Sequence, residues 1–61
     1  MVFIIESNKL ILKDANPQEL HYLKVNYTLL KQQDKYFITG TPDKLFKTLL
    51  NLSYTYDIEI V

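Results

Sequence analysis

The residues of this 61-residue chain that most resemble a chemical site run from Gly40 to Lys44. Gly-Thr-Pro-Asp-Lys joins the strand-like run Tyr36–Thr39 to a helical one. A glycine turn that opens a helix with a lysine in its first turn is the outline of a phosphate cradle. Such a cradle works through several free N–H groups that converge on the anion. Here Gly40 is the only glycine in the chain, and Pro42 removes a donor from the place where donors are needed. Asp43 adds a carboxylate that suits the helix dipole and repels phosphate, and Lys44 lacks the spaced glycines of a P-loop. Helix initiation accounts for all these residues: Gly40 makes the turn, Thr41 caps, Pro42 takes the first helical position and Asp43 complements the dipole. The turn is expected to be structural.

The other reactive side chains lack partners at useful spacing. His21 is the only imidazole, and with Asp14 and Glu19 as its nearest acids it reads as a half-exposed helix residue. Ser7 and Ser53 have no glycine elbow to present a nucleophile. Asp57 and Glu59 are two apart on a strand and share a face, a pattern that solvates a sheet edge as readily as it does acid–base work. No catalytic residue, metal site, cofactor or small-molecule substrate is expected. The lysines are more informative. Lys31 and Lys35 bracket a turn whose strands carry Tyr27 and Tyr36, and Lys9 and Lys13 share one face of an earlier strand. Cations interleaved with rings on a sheet are what a single-stranded nucleic-acid surface requires, because bases stack on rings while ammonium groups meet phosphates. A solvated face with amphipathic core-edge tyrosines accounts for the same residues.

The elements that must position these residues follow from pattern. Val2–Ile5 is apolar throughout and reads as a strand, Glu6–Lys9 as a turn in which Asn8 tolerates positive φ, and Lys9–Lys13 as a strand with Leu10 and Leu12 on one face. Asn16, Pro17 and Glu19 have capping-box spacing and open a helix whose inward stripe is Leu20, Leu23 and Tyr27. Val25, Tyr27 and Thr28 favour strand, so the helix is expected to end near Lys24 and a strand to span Asn26–Lys31, paired with Lys35–Thr39 across a tight turn. Continuous helix to Gln32 is the competing assignment. In the second helix Leu45, Phe46, Leu49 and Leu50 form the expected core stripe, with Leu49 at its centre and Thr48 pointing away. Tyr54, Tyr56, Ile58 and Ile60 then alternate as a long closing strand. The order is β-β-α-β-β-α-β. It predicts one small α+β domain over residues 1–61, a single layer of mostly antiparallel sheet with two helices on one face.

Composition bounds what such a domain does. Seven lysines balance seven acids and arginine is absent, so no global field draws in nucleic acid, and the arginine fork that reads guanine is missing. No cysteine is present, which fits a cytoplasmic protein. No apolar run approaches the ~20 residues of a membrane span, and Glu6 and Lys9 break the first apolar run too early for a signal peptide.

One pattern spans nearly the whole chain. "LILKDANPQELHYLKVNYT" followed by a hairpin and "TPDKLFKTLLNLSYTYDIEI" resembles the small N-terminal module of phage UvsW-type superfamily 2 helicases. The positions carrying the likeness are Leu12, Asp14, Glu19, Leu20, Leu23, Pro42, Leu45, Leu49, Tyr54 and Ile58. The resemblance implies a non-enzymatic accessory module of phage or phage-like origin that weakly engages nucleic acid, or positions a partner protein on it. Lys31, Lys35, Tyr27, Tyr36, Lys9 and Lys13 are then the nucleic-acid-binding candidates. The zero net charge supports a different expectation: a protein-interaction domain, either a homodimer or a small regulator that binds an enzyme through a sheet edge or apolar patch.

Overall fold

The computed structural model describes all 61 residues. Strands β1 (Val2–Glu6), β2 (Lys9–Asp14), β3 (Leu30–Gln32), β4 (Lys35–Thr39) and β5 (Glu59–Ile60) form one sheet in the order β3-β4-β2-β1-β5. Helices α1 (Pro17–Asn26) and α2 (Pro42–Ser53) complete an α+β fold. Every neighbouring pair of strands is antiparallel except β1 and β5, which run parallel. The topology explains why both helices lie on one face. α1 connects the parallel strands β2 and β3, and α2 connects β4 and β5, which run the opposite way and are displaced in the opposite direction. Two right-handed crossovers related in that manner put their helices on the same side of the sheet.

Both helix starts follow from their sequences. Asn16 Oδ1 accepts from the Glu19 N–H at 2.8 Å, and Glu19 Oε1 accepts from the Asn16 N–H at 2.9 Å. Thr41 Oγ1 accepts from the Lys44 N–H at 3.3 Å, with Pro42 at the first helical position. The core is a single cluster: Phe3, Leu10 and Ile38 from the sheet, Leu23 from α1, and Leu45 and Leu52 from α2. The register aligns them, pairing Phe3 with Leu12 and Leu10 with Ile38.

Four local expectations need correction. α1 runs on to Asn26, because the Asn26 side chain donates to the Tyr22 carbonyl at 2.9 Å and the Tyr27 N–H to the Leu23 carbonyl at 3.0 Å. These bonds, with Leu23 anchored in the core, outweigh the strand preference of Val25. β3 is correspondingly short. The closing strand also shrinks, to Glu59–Ile60. The N–H groups of Tyr54, Thr55 and Tyr56 turn back onto the Asn51 and Leu52 carbonyls that end α2, so none is free for a ladder. At the first turn Ser7, not Asn8, takes the left-handed conformation, with φ 43°.

The largest correction is the roll of α2. Thr48 is buried, at 5% exposure, beside Leu45 and Leu52, while Phe46 is 66% and Leu50 43% exposed. Leu49 is half-buried at the margin of the cluster. A threonine is tolerated in the core because its hydroxyl donates to the Lys44 carbonyl at 2.9 Å, which removes most of the cost of burying it.

Candidate interaction face

Helices cover one side of the sheet, and the residues alternating with the core form the other side. Strand pairing aligns Ile4 with Ile11, Ile11 with Phe37, and Phe37 with Leu30. Paired residues in a sheet share a face, so these four make one apolar row across β1, β2, β4 and β3. Leu30 is exposed and the other three are half-buried. Lys9, paired with Thr39, stands on one side of the row, and Lys35, paired with Gln32, on the other. The Lys9 ammonium lies over the Phe37 ring, 5.0 Å from its centroid. Lys9, Ile11, Gln32, Lys35 and Phe37 surround a shallow depression of about 250 Å³. Acids share this face as well: Glu6 is opposite Lys9, and Glu59 is paired with Val2, which lies on the same face of β1 as Ile4.

The six lysines and tyrosines singled out in the sequence do not assemble as one surface. Lys9 and Lys35 are on the open face. Lys13 sits at its margin, in the irregularity where the β1–β2 register shifts between Val2 and Phe3. Lys31 and Tyr36 are paired on the helix-covered side, where the Tyr36 ring is approached by the ammonium groups of Lys31 at 5.4 Å and Lys24 at 5.2 Å. Tyr27 caps the end of α1, half-buried against the core. Burial first, and then the neighbouring Tyr22 phenol, raise its pKa above the ordinary value of 10.0. Tyr27 therefore serves the edge of the core, Tyr36 lies half-buried on the helix-covered side, and the ring on the open face is Phe37. Its signal was present in "KYFIT": Phe37 and Tyr36 alternate, so only one of them shares a face with Lys35.

The remaining candidates are dispersed over the fold. His21 is exposed on α1 and lines an open groove of about 470 Å³ with Pro17, Tyr22, Val25 and Tyr56. No group of three His, Cys, Asp or Glu side chains is placed to hold a metal ion. Ser53 Oγ donates to the Leu50 carbonyl at 2.6 Å. The Gly40 N–H donates to the Asn8 carbonyl at 3.1 Å, which ties the α2 entry turn to the β1–β2 turn. Gly40 does not have positive φ. A Cβ there would meet the Lys44 side chain at 2.9 Å, so the glycine leaves room for the lysine stem. No helix is long and apolar enough to cross a membrane.

Comparison with protein-family models, with curated proteins and with solved structures finds no match to this chain.

Proposed function

We propose that this chain acts by binding, not by chemistry, and that its open sheet face receives an amphipathic helix of a partner protein with acidic flanks. The observation that carries this reading is the row Ile4–Ile11–Phe37–Leu30 with Lys9 and Lys35 on opposite sides. Four strands about 4.8 Å apart give a row ~15 Å long, which matches roughly ten helical residues at 1.5 Å each. A helix lying along it would place its apolar stripe on the row and its flanking carboxylates beside the two ammonium groups. Such a surface gives affinity through the buried row and orientation through the charges.

A nucleic-acid reading has its own support. A base could stack on Phe37 beside Lys9, and the likeness to helicase accessory modules points the same way. Three of the four side chains in the row are aliphatic, however. Sheet surfaces that bind single strands use two or three rings.

The two readings separate in one titration followed by backbone NMR. A designed helical peptide with leucines along one face and glutamates beside them should shift Ile4, Ile11, Phe37 and Leu30. The same peptide with lysines in place of the glutamates should bind at least about tenfold more weakly at low salt. Phe37→Glu should abolish both effects. If the acidic peptide does not bind while oligothymidylate shifts the same residues, the nucleic-acid reading replaces this one.

A further inference from the structure

α2 carries more apolar surface than the sheet covers. Successive residues turn by about 100° around the axis. Leu45, Thr48 and Leu52 face the core, Leu49 comes next, and Pro42, Phe46 and Leu50 follow on the side turned away. Phe46 is among the most exposed large apolar residues of the chain. Ile5 lies on the helix side of β1, alternating with Phe3, yet is 51% exposed. Ile5, Pro42, Leu45, Phe46 and Leu49 line one cleft of about 250 Å³ above the buried Leu10.

We infer that this side of α2 is the interface of a two-fold homodimer, in which Phe46 of each copy packs into the cleft of the other. The occupant is argued from the patch itself. A protruding ring and a cleft of suitable size lie side by side, and a cavity of roughly 150 Å³ already accepts benzene. A knob and a hole on one surface are what an isologous contact needs, since a two-fold axis brings each onto the other. The charges agree. Asp43 and Lys47 are one turn apart along the rim beside Leu50. Antiparallel packing of two α2 helices about an axis near Phe46 brings Asp43 of one copy alongside Lys47 of the second. The placement of Thr48 in the core and Phe46 outside it then has a reason, because the stronger apolar arc serves the dimer. This inference rests on a different surface from the open sheet face, so either can fail alone.

Sedimentation equilibrium of the full chain tests it. The wild type should dimerise, and Phe46→Glu should raise the dissociation constant at least ~30-fold while the circular dichroism stays native. Phe37→Glu, on the open face, should leave the dimer intact. Asp43→Lys should weaken it, and adding Lys47→Asp should restore it. An isotope-filtered NOE experiment on wild type needs no variant and should show the Phe46 ring contacting Ile5 methyls across copies. A wild type that stays monomeric at millimolar concentration overturns the inference. So does a dimer lacking that contact, or one that Phe37→Glu dissociates and Phe46→Glu does not.

Discussion

Two residues hold backbone conformations that their side chains resist. Ser7 and Gln33 have φ of 43° and 56°, in the left-handed region that glycine enters without a Cβ penalty. Each is the first residue of a two-residue turn between paired strands, β1–β2 and β3–β4. Gln33→Gly should therefore raise stability by up to about 1 kcal/mol, because the relieved strain of ~1–2 kcal/mol exceeds the added chain entropy. Chemical denaturation would show the midpoint moving up with an unchanged slope; a lower midpoint would contradict the account. Tyr27 offers a test by pH. Its pKa is raised in the fold, so folded and unfolded chains both keep the proton below pH 10.0 and the contribution of this phenol is complete there. Above that value the unfolded chain loses its proton first, and stability falls as pH rises through the folded pKa. The melting temperature should decline over that alkaline window, and Tyr27→Phe should remove its share of the decline. Superimposable profiles for the two proteins would refute the assignment.

At the scale of elements, caps and turns were legible and rotations were not. Asn16, Glu19, Thr41 and Pro42 declare both helix starts because capping is local chemistry, complete within four residues. The alternation of "KLILK" and "KYFIT" likewise assigns Leu10 and Ile38 to one face and Ile11 and Phe37 to the other. The roll of α2 depends on which part of a wide apolar arc meets the sheet, and no local pattern decides that. Leu52 and Leu50 make the difference measurable. Leu52→Ala removes a fully buried side chain and should cost about 2–5 kcal/mol. Leu50→Ala, measured at high dilution, should cost well under half of that. Equal losses would restore the stripe expected from sequence. The ends of α1 and β5 were hidden for a related reason. Tyr54, Thr55 and Tyr56 alternate like a strand, but their N–H groups are needed at the end of α2, and a backbone donor serves one partner at a time. The open face was half legible: Lys9 and Lys35 were seen, while the row they flank emerges only when four strands are placed in register.

For the molecule as a whole, the parallel pairing of β1 with β5 has a mechanical consequence. The chain begins in one of these strands and finishes in the other, and because they run parallel, residues 1 and 61 lie toward opposite ends of the shared ladder. Tension applied between those two residues slides β5 along β1. It loads the Glu59–Met1 and Val61–Phe3 hydrogen bonds, 3.0 Å each, at the same moment, together with the bond from the Met1 ammonium to the Asp57 carbonyl at 2.9 Å. An antiparallel terminal pair would be peeled open one bond after another. A single-molecule pull from residues 1 and 61 should therefore need a distinctly higher force than a pull from residues 1 and 14, which unzips the β1–β2 hairpin from its open end. The seam that joins the two ends of the chain is short, but it is oriented to bear load.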